Sequence, residues 1–178
     1  MLCQFSPEGN KQTLAHYLHV PKDVYPVGRL DFDSEGLLLL TNDKTLNAKI
    51  LHPTKGHERE YWVQVEGEMT SAALDRLSLG VNIQIDGKAH FTLPARATRI
   101  LGEPGLPPRN PPIRYRKNIP TSWISLILNE GKNRQVRRMT AAVGFPTLRL
   151  VRWRMDGLTL QGLAPGEWRA IEKKDIVT

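Results

Sequence analysis

Apolar and polar residues alternate most regularly over residues 60–66, where Tyr61, Val63 and Val65 fall on one side and Glu60, Trp62, Gln64 and Glu66 on the other. A period of two marks a half-buried strand, so this segment is read as one. The alternation returns at Val81, Ile83 and Ile85, residues 90–100 read as extended, and 123–128 and 148–155 read as further strands, the last closing at an Asp156-Gly157 turn. A continuous apolar run predicts a buried strand at 37–41, and a final strand pair is expected around 158–160 and 168–171. Residues 27–31, after Pro21 and Pro26, read as a strand end entering a loop. Helical spacing appears at 13–18 (Leu14, Tyr17, Leu18), at Leu46, Ile50 and Leu51 behind an Asp43 cap, at Ala73, Leu74 and Leu77 behind Thr70, and over 133–143. Between these, 102–120 is rich in Pro, Gly, Arg and Lys without an apolar period, which predicts a long exposed loop.

Strands and helices mix without a βαβ rhythm, which predicts an α+β fold with a mixed, largely antiparallel central sheet and flanking helices. No internal repeat or linker interrupts the 178 residues, so one domain over 1–178 is expected.

Composition adds a partner class. The formal charge is +7 and the isoelectric point about 9.8, so the surface should attract polyanions. A lone cysteine, Cys3, excludes an internal disulfide and a Cys-rich zinc site and suits a reducing compartment. No apolar stretch approaches the roughly 20 residues of a membrane span, and the first 20 residues lack a signal-peptide pattern. The expectation is a cytoplasmic protein without membrane contact, acting as a monomer.

Two patches could carry chemistry. Residues 28–36 place Asp31, Asp33, Glu35 and two glycines in a loop just before an apolar run. The alternate carboxylates invite a calcium-loop reading, but Asn42 stands where a bidentate Glu is required and residues 37–40 are all Leu, so no metal is expected. A glycosidase-like pairing of Asp31 with Asp33 or Glu35 stays open, as does a plain turn role for Asp33 and Glu35. The second patch, 132–154, contains Lys132, Arg134, Arg137, Arg138, Arg149, Arg152 and Arg154 with no acidic residue, and Trp153 lies among them. On a helical wheel Arg134, Arg137 and Arg138 share one face, while Val136, Met139 and Val143 share the other. Arginine forks beside an aromatic suit RNA backbones and unstacked bases. Phosphate-loop, dinucleotide, zinc-protease and deaminase motifs are all missing, so no cofactor is expected.

These patches, GRLDFDSEGLLLLTND and EGKNRQVRRMTAAVGFPTLRLVR, together with REYWVQVEG and GLAPGEWR, closely resemble the signatures of the RsuA-like family of ribosomal RNA pseudouridine synthases. NPPIRYRKNIPTSW is more similar to the members that act on the large subunit (23S rRNA). The resemblance implies an isomerase that detaches a uracil, rotates it and rejoins it through carbon. It implies Asp31 as the catalytic carboxylate, Tyr61 as the residue stacking on the base, and Arg137 as its basic partner. Leu163 would line the pocket, while Arg29, Lys132, Arg134 and Arg138 would bind RNA. Arg59 stands where the family usually has Lys before the tyrosine strand. Many members carry a separate S4-like N-terminal domain; none is expected in this chain, and Met1 falls inside the family's first conserved strand, near LCQFSPEG. The competing reading is a non-catalytic RNA-binding or ribosome-assembly protein on the same fold.

Overall fold

The computed structural model describes residues 1–52, 56–114 and 116–176. Its strands are β1 (Tyr25–Pro26), β2 (Glu35–Gly36), β3 (Leu40–Thr41), β4 (Arg59–Glu66), β5 (Asn82–Ile85), β6 (Lys88–Phe91), β7 (Arg96–Ile100), β8 (Thr121–Leu128), β9 (Thr147–Met155) and β10 (Leu158–Thr159). Its helices are α1 (Lys44–Leu51), α2 (Ser71–Leu79) and α3 (Gln135–Ala142). The central sheet runs β10-β9-β4-β8-β7 with antiparallel neighbours, and β2 joins β9 in parallel. β1 with β3 and β5 with β6 form two small antiparallel ribbons. The mixed, largely antiparallel sheet with flanking helices is the expected fold class.

The alternating residues of β4 explain the layering. Val63 and Val65 are fully buried against Ile124, Leu126 and Leu150 of the neighbouring strands and against Leu77 of α2 and Val136 and Met139 of α3. Burying each such side chain contributes about 1.5–3 kcal/mol, enough to fix which face of the sheet the helices cover. On the opposite face Trp62 stacks on Trp153 of β9, ring centroids 3.8 Å apart. A second cluster, Val27, Leu37, Leu39, Leu46, Ile50, Met155, Leu158 and Ile176, joins α1 to the edge of the sheet.

Several expected elements differ. Over 13–18 only a 3₁₀ turn forms at Leu14–His16, because so short a segment cannot sustain a helix even with the Thr13 N–H capped by His16 Nδ1. The run at 37–41 is not one strand. The chain pairs with β9 at Glu35–Gly36 and then changes partner to β1 at Leu40–Thr41, while Leu37 and Leu39 stay buried. Residues 90–100 hold two strands interrupted at Pro94, which has no N–H for a ladder. Residues 168–171 form no strand and are exposed, Trp168 to 63%, so β10 pairs with β9 instead. Within 102–120, the described residues form no helix or strand, as expected of a loop; Tyr115 lies outside them.

Gly36 makes the parallel pairing possible. Its φ is +117°, and a Cβ there would lie within 2.5 Å of the Arg152 backbone. Gly36→Ala is expected to lower stability by about 2 kcal/mol or more, through left-handed strain and disruption of the β2–β9 pairing. Denaturant unfolding checks this, and an unchanged midpoint would contradict it.

Candidate active site

The loop between β1 and β2 carries Asp31. It is braced from the N-terminal segment, where Cys3 Sγ accepts from Leu30 N–H (3.3 Å) and donates to Leu30 O (3.6 Å). Ser34 N–H donates to Asp31 O (2.9 Å) and closes the turn. Phe32, next to Asp31, is 59% exposed.

α3 approaches this loop from the other side. The segment before it is pinned by two buried side chains: Gln135 Nε2 donates to Glu130 Oε1 (2.6 Å) and Lys132 N–H donates to Gln135 Oε1 (2.9 Å). Glu130 also accepts from Leu93 N–H (2.8 Å), tying the segment to the connection between β6 and β7. Arg134, in the left-handed region at φ 50°, caps α3 and forks onto Asp33, with Nη1–Oδ1 3.0 Å and Nη2–Oδ2 3.1 Å. Arg137 Nη2 donates to Asp33 O (2.9 Å) and contacts Ser34 Oγ (3.4 Å).

Asp31 itself is treated differently. Its Oδ2 lies 3.6 Å from Arg134 Nη1 and 3.9 Å from Arg137 Nε, within ionic range but beyond hydrogen-bond distance. Arg137 Nε is buried and has no hydrogen-bond partner. A carboxylate in a positive field, with its lone pairs uncommitted, can accept a hydrogen bond from a ligand or attack it. Asp33, by contrast, is consumed by its arginines. The Arg134 hydrogen bonds hold the Asp33 carboxyl below the usual carboxylate range, against burial and with help from the Arg137 charge. Burial lowers the Arg137 pKa, opposed chiefly by the Asp33 charge.

Tyr61 reaches this region across the sheet. It pairs with Arg152 of β9, which pairs in turn with Gly36 of β2, so Tyr61 lies two strand spacings, about 10 Å of backbone, from the end of the Asp31 loop. Arg152 is buried; its Nε donates to Leu37 O (2.8 Å) and its Nη2 has no partner. Burial lowers its pKa, and interaction with Tyr61 opposes that shift.

The remaining candidates divide. Arg29 and Lys132 are exposed, and their side chains make no hydrogen bond or ion pair among the described residues. Arg138 turns away from Arg134 and Arg137 and donates to Gln84 O and Asn133 O, fastening α3 to β5. The shared face drawn on a helical wheel therefore splits, because Arg134 is a left-handed cap rather than a helical residue. Leu163 is half-buried and packs on the rim of the second apolar cluster with Leu160.

Residues 3–142 match the family model for RNA pseudouridylate synthase. The chain belongs to that family. It is 53% identical over 170 residues to ribosomal large subunit pseudouridine synthase E of Vibrio vulnificus, spanning 96% of this chain and 70% of the relative. The protein of the same name from Xanthomonas campestris is 46% identical over 178 residues, spanning 99% and 92%. Ribosomal large subunit pseudouridine synthase B of Bacillus subtilis is 34% identical over 169 residues, spanning 95% and 62%. A crystal structure of a pseudouridylate synthase superposes with a TM-score of 0.78 at 25% identity, covering 98% of this chain and 67% of that one.

In this RNA pseudouridylate synthase the sequence pattern does not reveal every supporting group. Glu130 and Gln135 lie within the segment EGKNRQVRR, yet nothing in a linear sequence shows that they bond to each other. Glu35 has the pattern of a turn residue, but it binds Arg149 through two hydrogen bonds of 2.9 Å. Arg152 belongs by position to the RNA-facing cations, although it is 4% exposed.

The Asp33 shift fixes a pH dependence. A carboxyl whose pKa is lowered on folding stabilises fully above its unfolded pKa, near 3.9, and that stabilisation is lost as pH falls through the lower, folded value. Asp33→Asn is therefore expected to cost about 0.5–1 kcal/mol at neutral pH, since Asp33 is partly exposed, and nothing once both pKa values are passed. Urea unfolding at neutral pH and in strong acid checks this; equal costs at both would contradict it.

Proposed function

We propose that this enzyme isomerises a specific uridine of large-subunit (23S) ribosomal RNA to pseudouridine, with Asp31 as the catalytic carboxylate. The observation that carries the reading is the contrast between neighbouring aspartates. Asp33 is locked by Arg134 and Arg137, whereas Asp31 stands beside the same guanidinium groups with no short hydrogen bond. Asp33 thus serves structure, and Asp31 is left for a substrate. The names and identities of the relatives support ribosomal RNA, and the large subunit in particular, as the target.

The reaction opens the bond from uracil N1 to the sugar C1′, turns the ring, joins C5 to C1′, and releases the C5 hydrogen as a proton while N1 takes one up. It is an internal rearrangement, balanced without an electron donor or a transferred group. A uridine in folded RNA must leave its stack before C1′ is reachable, which requires contacts to backbone and base. In this reading Tyr61 stacks on the base, and Arg137 pairs with Asp31 through its otherwise partnerless Nε. Arg134 and Arg138 support the loop and α3 while remaining near the RNA, and Leu163 closes the apolar side of the pocket. Arg29 and Lys132 bind phosphate, their side chains being free of protein partners among the described residues.

The protein is read as a cytoplasmic monomer. No helix among the described residues is long and apolar enough to cross a membrane, and the Cys3 thiol, engaged with Leu30, suits a reducing compartment.

Asp31→Ala is expected to reduce tritium release from RNA labelled at uracil C5 by about a thousandfold or more, within the range for removing a group that acts on reacting atoms, with RNA affinity nearly intact. A variant as active as wild type would remove Asp31 from the mechanism. Release by neither protein from 23S or 16S RNA, despite binding, would favour the non-catalytic reading.

Arg29→Ala with Lys132→Ala tests the phosphate contacts. Removing each phosphate-binding cation should make the slope of log affinity against log salt shallower by about 0.7–0.9. An unchanged slope would place both residues off the RNA.

A further inference from the structure

We propose that Glu35 is a positioning residue for this reaction, fastening the Asp31 loop and the 102–120 segment to one another through a single shared carboxylate. The inference rests on the isomerase reading above. Glu35 begins β2, immediately after the Asp31 loop, and its backbone is in register with Val151. Its Oε2 accepts from Arg149 Nε and its Oε1 from Arg149 Nη2, both at 2.9 Å. The same Oε2 lies 3.3 Å from Arg109 Nε. Arg149 Nη2 also donates to Pro107 O (2.8 Å). One carboxylate thus gathers a strand of the sheet, the end of the catalytic loop and two points of the long segment.

The surroundings make this more than a surface ion pair. Arg149 and Arg109 are 11% and 19% exposed at their side chains, so removal of the Glu35 charge would strand two shielded cations. The two ends of the segment are held separately, by Trp123 Nε1 to Glu103 (2.9 Å) and by Arg116 to Glu66 (2.7 Å). Its middle is held by Glu35, directly through Arg109 and indirectly through Arg149, which Glu35 orients toward Pro107. Arg109 is also close enough to influence the Arg137 guanidinium electrostatically, so releasing it alters the field at the group that faces Asp31.

The test compares wild type, Glu35→Gln and Arg109→Ala in single-turnover tritium release, RNA binding and limited trypsin digestion mapped at Arg114, Arg116 and Lys117. Glu35→Gln is expected to slow turnover by about tenfold or more, the scale of a small displacement of a reacting group. Its RNA dissociation constant should stay within about twofold, because only the geometry at Asp31 changes. Trypsin should cut the segment faster in both variants, and Arg109→Ala, which leaves the Arg149 bonds in place, should lose less rate than Glu35→Gln. Wild-type turnover in Glu35→Gln, or an equal loss of rate and RNA affinity, would overturn the positioning role. Should Glu35→Gln not fold, Arg109→Ala decides: wild-type rate and wild-type cleavage would sink the proposal. Trypsin reports the anchor without any turnover, so an inactive wild type would refute the isomerase reading alone.

Discussion

Two residues of parallel ladder, Glu35–Gly36 against Val151–Arg152, set the position of everything around Asp31. The loop before them has little regular structure, and its direction is decided where it leaves into β2. That exit works because Gly36 has no side chain and can lie against the Arg152 backbone. Once β2 is seated, Leu37 N–H donates to Arg152 O and Arg152 Nε donates to Leu37 O, so the crossing is bonded from both sides. The buried guanidinium on β9 then lies beside Tyr61 on β4. A rigid strand pair thereby fixes a mobile kind of element, which is how precise sites are built on loops.

The strands are legible in the sequence where apolar residues alternate with polar ones. Val63 and Val65 of β4 and Ile83 of β5 stand out because a period of two leaves a polar partner between buried residues, and α3 does so through Val136 and Met139. The run of leucines at 37–40 is less informative. Uniform apolarity says that a segment is buried but not which neighbour it pairs with, and here the neighbour changes midway. The short N-terminal turn misleads for a related reason: of its three apolar residues at helical spacing only Leu14 is buried, while Tyr17 is exposed, so the spacing marks no packed helix face.

Charge is the harder part. The arginine run from 132 to 154 reads as an RNA-facing surface, yet most of its members are occupied inside the protein. Arg134 and Arg137 hold Asp33, Arg138 holds the Gln84 carbonyl, Arg149 holds Glu35, and Arg154 binds Glu60 and Glu58. Lys132 alone of that run has a side chain without a partner among the described residues. Their acidic partners lie far away in sequence, so a local count of cations overstates the surface available to phosphate. Motif resemblance distinguishes Asp31 from Asp33 without any geometry, which a count of charges has no means of doing.

The same distances govern when the site can exist. Asp33 and Arg134 are 101 residues apart, Glu35 and Arg149 are 114 apart, and Leu37 and Arg152 are 115 apart. On a ribosome, a chain made from its N-terminus exposes the Asp31 loop long before any of these partners emerges. The loop-closure cost of such distant pairings falls due before they stabilise anything. A nascent chain therefore carries no assembled site until β9 is free, so competence arrives in one late step of synthesis.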